Sequence, residues 1–174
     1  MGFRFGVNMR ATGERTQWLD KCRRAEDLGF DVVAVPDHLG MPAPLPSLVA
    51  AAEATERVRL ATFVVNTAFY NPTMLARDVE TSEQLLDGRL ELGLGTGYAR
   101  AEFDAAGLPF PRPGARLDHL EQCLTVLREH YGDRPLPPVL LGGQRDRMLR
   151  IAAREADVVG FTGARFNRDG DGAT

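Results

Sequence analysis

His38 is the residue with the clearest chemical promise. It is one of three histidines and lies two residues past the run Asp31 to Pro36 (DVVAVP), where a buried parallel strand is expected. In parallel α/β folds, function sits just past the carboxyl ends of the strands. An imidazole there has an intrinsic pKa suited to proton transfer near neutrality; the alternative is packing or a bond to a backbone carbonyl. Asp37 either orients His38 or caps the next segment. His119 and His130 fall in a long helix pattern and are expected to face solvent.

Glycines mark two more strand ends. Gly93-Leu94-Gly95-Thr96-Gly97-Tyr98 follows the run Leu90 to Leu94, and Gly142-Gly143-Gln144-Arg145 follows Val139 to Leu141. The first turn reads G-x-G-x-G rather than G-x-G-x-x-G. It follows the fourth strand, and no acidic strand end comes after it at the needed distance, since Asp118 lies in a helix. A Rossmann dinucleotide site is therefore a poor match. Glycines still let backbone N–H groups approach an anion, so Gly95, Thr96, Gly97, Gly142 and Gly143 are expected to clasp one phosphate. The alternative is two tight turns. Asn66 and Thr67 end another strand, and Thr162 and Gly163 follow the last. No metal constellation and no G-x-S-x-G elbow occurs. Cys22 and Cys123 lie on apolar helix faces and read as core.

The elements that must position these residues alternate in period. Strands are expected at Phe3 to Asn8, Asp31 to Pro36, Arg59 to Asn66, Leu90 to Leu94, Val139 to Leu141 and Asp157 to Phe161. Helices are expected from Thr16 to Gly29, Ser47 to Arg57, Asn71-Pro72 to Leu86, about Leu117 to Tyr131, and Arg145 to Arg154. Pro109, Pro111 and Pro113 mark a loop. This is βα five times with a sixth strand, hence a parallel α/β sheet, either doubly wound or a barrel. The end, NRDGDGAT, reads as a flexible tail over residues 164–174 after a domain over 1–163.

Composition narrows the classes. The 174 residues carry a formal charge of −3, with 44% hydrophobic and 26% charged residues. That is ordinary for one soluble domain. The mild acidity argues against a nucleic-acid binder. No apolar run approaches the roughly 18 residues of a membrane span, and the amino-terminal stretch has no apolar signal core, so a cytoplasmic protein is expected. Lys21 is the one lysine among 21 basic residues, which fits a GC-rich coding bias.

The motifs FRFGV, LGFDVVAVPDHL, RVRLATFVVN, NPTMLARDVETSEQLLDGRLELGLGTGY, PPVLLGG and AAREADVVGF occur in this order. With them the chain resembles the luciferase-like monooxygenase superfamily, closest to its F420-dependent oxidoreductase branch. The resemblance covers about residues 3 to 163. It implies an α/β fold of TIM-barrel type, with (βα) repeats shortened to about six parallel strands. It implies F420, or alternatively FMN, bound at the strand carboxyl ends, and a hydride passed to or from a small organic substrate. His38 falls on the family's strand-two histidine and Asp37 beside it. Gly95, Thr96, Gly97, Gly142 and Gly143 fall on the cofactor-phosphate contacts. A non-proline cis peptide under the ring is implied near Thr62-Phe63, with Asn66 at the same strand end.

Two features depart from the family. A TIM barrel has eight strands in about 250 residues, and Tyr131 runs almost directly into Val139 where the family has a long segment. A non-catalytic flavin binder or structural partner is the alternative function. The first and sixth strands would have free apolar edges, so a homodimer is expected.

Overall fold

The computed structural model describes residues 2–11 and 13–161. Thr162, Gly163 and the expected tail over 164–174 lie outside the described residues. The chain alternates strands β1 (Gly6–Asn8), β2 (Val32–Val35), β3 (Arg59–Thr62), β4 (Val65–Asn66), β5 (Leu90–Gly95), β6 (Val139–Gly142) and β7 (Val158–Gly160) with helices α1 (Arg15–Asp27), α2 (Pro44–Ala52), α3 (Pro72–Leu85), α4 (Arg100–Ala105), α5 (Pro113–Tyr131) and α6 (Asp146–Glu155).

Every strand pairing is parallel, in the order β1-β2-β3-β5-β6-β7, with the short β4 also on β5. The register runs Val33↔Leu60, Leu60↔Leu90, Leu92↔Val139 and Leu141↔Val159. Six parallel strands thus curl into part of a barrel, with β3 and β4 forming one interrupted strand. Parallel strands covered by helices are buried on both faces. Accordingly Leu90, Leu92 and Leu94 of β5 are fully buried. Against them pack Leu75, Ala76 and Val79 of α3 and Leu120, Cys123, Leu124 and Leu127 of α5. Burial pushes the Cys22 thiol up to about 12 and the Cys123 thiol to about 11, as expected for inert core cysteines.

Local chemistry explains most boundaries. Asn71 caps α3, its side chain accepting the N–H groups of Thr73 and Met74, with Pro72 at the first helical position. The same proline rule starts α2 at Pro44, earlier than the expected Ser47, and α2 ends at Ala52. The expected strand Arg59 to Asn66 is broken in two, and α4 lies inside the stretch read as loop.

Glu26 ties α1 to the entry of β3. Its carboxylate accepts the N–H groups of Glu56 at 3.1 Å, Arg57 at 2.7 Å and Val58 at 2.8 Å. Burial alone would push this carboxyl up; the three N–H groups and the Arg57 charge outweigh it and hold it below the ordinary value. A depressed carboxylate adds stability above its unfolded pKa and loses it as pH falls through its folded pKa. Glu26→Ala should therefore cost about 1–2 kcal/mol near neutrality. Urea unfolding at neutral and acid pH should show that difference shrinking at the acid end.

Candidate active site

A cleft of about 610 Å³ opens at the carboxyl ends of the strands. Asn8 reaches it from β1, Asp37 and His38 from β2, and Phe63, Val64 and Asn66 from the β3–β4 strand. The turn Gly95 to Tyr98 with Glu102, and the turn Gly142 to Arg145, complete the lining.

The β3–β4 interruption makes the floor. The Phe63–Val64 peptide is cis, one residue later than the expected Thr62-Phe63. The Phe63 N–H still pairs with the Val35 carbonyl at 2.7 Å, so the strand stays regular through Phe63 before breaking. Thr62 is buried beneath this floor and does not line the cleft. Its hydroxyl donates to the Gly93 carbonyl and accepts the Gly93 N–H, both at 2.8 Å.

The glycines serve close backbone approach. A Cβ on Gly95 would lie 2.6 Å from Val64 Cγ2, and one on Gly142 would lie 3.3 Å from Val64 Cγ1. Both leave room for the cis segment. Gly97 adopts φ +68°, and a Cβ there would lie 2.4 Å from the Asn66 side chain. A Cβ on Gly143 would strike Met148, and the Gly143 N–H is already given to the Gly160 carbonyl at 3.0 Å. Thr96 lines the cleft between its glycines.

His38 forms the wall. Its Nδ1 lies 2.7 Å from Glu102 Oε1, and the Tyr98 ring meets the imidazole edge-on with centroids 5.8 Å apart. The carboxylate bonded to His38 is therefore Glu102 of α4 and not Asp37. Asp37 instead accepts the Asn66 N–H at 3.0 Å and the Tyr70 hydroxyl, tying the end of β2 to the end of β4. Burial pushes the Asp37 carboxyl up, against the Asn66 N–H, the charge of His38 and the Tyr70 bond. Tyr70 in turn is pushed up to about 12 by burial and by Asp37. An imidazole that donates Nδ1–H to a carboxylate keeps Nε2 as its proton-exchanging nitrogen.

Two expectations for histidines are corrected. His119 is half-buried, and its Nε2 lies 3.0 Å from the Thr67 carbonyl and 3.1 Å from that of Tyr70. His130 pairs with Glu80 at 2.7 Å across α3 and α5. Residues that the spacing argument missed are Glu102, Tyr70 and Val64; Tyr98, named at the fourth strand end, does line the cleft. A carboxylate one helical turn past a strand-end aromatic was the one available signal for Glu102. Among the described residues no cluster of His, Cys, Asp and Glu could hold a metal ion, and no helix is long and apolar enough to cross a membrane.

Comparison with known proteins follows the same lines. The family model for luciferase-like monooxygenases matches residues 2–170. The F420-dependent glucose-6-phosphate dehydrogenase of Intrasporangium calvum is 38% identical over 136 residues, 70% of this chain and 41% of that protein. Its namesake from Microbacterium testaceum is 36% identical over 187 aligned positions, 88% of this chain and 55% of that protein. Among solved structures, the coenzyme F420 dependent tetrahydromethanopterin reductase of Methanopyrus kandleri superposes with a TM-score of 0.79 at 22% identity, over 92% of this chain and 56% of that one. The oxygenating constituent of 3,6-diketocamphane monooxygenase of Pseudomonas putida, in complex with FMN, gives 0.77 at 16%, over 92% and 57%. The chain spans about half the length of these relatives, and the structural likeness shows the barrel-type fold. With a family model matched across nearly its whole length, the chain belongs to the luciferase-like monooxygenase family, beside its F420-dependent members.

Proposed function

We propose that the cleft binds the deazaflavin F420, with FMN as the alternative, and serves an oxidoreductase acting on a small organic substrate. The observation that carries this reading is the 2.7 Å His38–Glu102 pair standing beside a cleft floor made by Phe63 and Val64. The residues fit a flat heteroaromatic group. The floor is backbone and valine with no Cβ on Gly95 or Gly142, and the wall offers one imidazole. Arg145, which lines the cleft, is the N-cap of α6; that helix has no side-chain cap and carries the acidic Asp146 in its first turn. Because Gly143 has spent its N–H, a cofactor phosphate would draw on the N–H groups of that first turn. Gly142 and Gly143 would then shape the approach.

When bound, the deazaflavin supplies hydride transfer. His38 would exchange the accompanying proton at Nε2, and Glu102 at Nδ1 would hold the imidazole in the tautomer that can accept it. Asp37, through Tyr70 and Asn66, would keep the two strand ends in place. Names of the relatives make glucose 6-phosphate the first substrate to try. Mixing it with protein loaded with oxidised F420 should bleach the deazaflavin's visible absorbance. Binding without bleaching by this or other small alcohols would favour the alternative reading, a non-catalytic flavin binder.

The floor role of Gly95 gives a separable prediction. Gly95→Ala pushes on Val64 and should weaken F420 and its phosphate-free form alike, read by fluorescence titration. Selective loss of the phosphorylated form would return Gly95 to the phosphate.

A homodimer is part of this proposal, as is a cytoplasmic setting. Among the described residues β1 and β7 are the outermost strands of the sheet, and Phe3, Phe5 and Phe161 beside them are 92%, 65% and 67% exposed. Such edges and apolar patches favour association, and a two-fold dimer burying at least about 1,200 Å² is the common outcome. Sedimentation at micromolar concentration should give a dimer; a stable monomer would refute it.

A further inference from the structure

Glu102 stands on α4, a helix of only six residues whose N-cap, Ala99, offers no side-chain bond. A helix so short is not stable by itself. Something outside α4 must therefore hold Glu102 at 2.7 Å from His38. The adjacent residue, Phe103, is 1% exposed and packs between two rings, Phe69 at 5.0 Å and Phe110 at 4.9 Å between centroids. Phe110 is in turn met by two guanidinium groups, Arg100 at 4.5 Å and Arg116 at 4.4 Å. Arg116 is the fixed end of this chain. It sits on the 19-residue α5, is 8% exposed, and donates to the Pro111 carbonyl from its terminal nitrogen. Its Nε is buried with no hydrogen-bond partner. A buried arginine with an unused donor is costly, and its stacking on the Phe110 ring offsets part of that cost.

We propose that Arg116 is a positioning residue: stacked on Phe110, it locks Phe103 and thereby sets the contact of Glu102 with His38. The proposal rests on the reading of His38 and Glu102 as the proton-handling pair. Arg116 lies on a different element from either, and the path from it to Glu102 runs through the rings of Phe110 and Phe103. Lysine could not replace it, because an ammonium has neither the planar face nor the forked donors that reach Pro111.

The test reads the pair itself. In the unliganded protein, the His38 Nδ1 proton facing a carboxylate at 2.7 Å should give a resolved downfield proton resonance. Glu102→Gln should abolish or move it. Arg116→Met, which keeps the side-chain stem, should do the same while circular dichroism stays native. Phe110→Leu removes the stacked ring instead and should reproduce the loss, which covers the case of Arg116→Met failing to fold. In the loaded protein both variants should lower hydride transfer about 10–100-fold with the F420 Kd unchanged. A native His38 resonance in folded Arg116→Met and Phe110→Leu would overturn the proposal and leave the His38–Glu102 pair standing. A native resonance in Glu102→Gln would overturn the pair and the proposal with it. Failure of F420 to bind, with the resonance behaving as expected, would strike the cofactor reading alone.

Discussion

Gly93→Ala should disrupt the sheet at its centre. A Cβ on Gly93 would lie 2.0 Å from the Thr62 carbonyl oxygen and 3.1 Å from its carbon. Both atoms are backbone, and Thr62 is held there by its two hydrogen bonds with Gly93. No flexible side chain can move aside, so β3 and β5 must separate or shift register. Overpacking and lost buried hydrogen bonds together should cost about 3–5 kcal/mol. Denaturant unfolding checks this, and little soluble protein at physiological temperature is the expected practical sign. An alanine variant within about 0.5 kcal/mol of native would mean that the Thr62–Gly93 contact is not as close as described.

His38→Ala should lower turnover about 10²–10⁴-fold while cofactor affinity changes little. The imidazole stands at the cleft wall, so removing it takes away the proton exchange at Nε2 and leaves the Phe63–Val64 floor intact. Glu102→Gln should follow in the same direction with a smaller loss, because an amide no longer favours the tautomer with Nε2 as acceptor. Single-turnover absorbance kinetics separate the chemical step from binding. Unchanged turnover in His38→Ala would return this histidine to a packing role.

The alternation of strands and helices was legible because apolar runs and helical stripes differ in period, and Asn71-Pro72 is a strong start signal. The single strand read over Arg59 to Asn66 is interrupted at Phe63–Val64, two residues that line the cleft and that local propensity does not mark as a break. The short α4 showed no periodicity in six residues, so Glu102 stayed hidden inside a proline-marked loop. Its partner is 64 positions away, beyond any local spacing argument. The glycine turns were legible as sites of close approach, but not what approaches: the direction of each missing Cβ points at Val64, Asn66 and Met148. His119 sits at the margin of the apolar stripe of α5, where only the facing turn supplies the Thr67 and Tyr70 carbonyls that bind it.

The most direct measurement is a fluorescence titration of the purified protein with F420, run in parallel with FMN. Saturable binding of F420, tighter than that of FMN, is the predicted result. Failure of both cofactors to saturate the protein at any attainable concentration would contradict the assignment of the cleft.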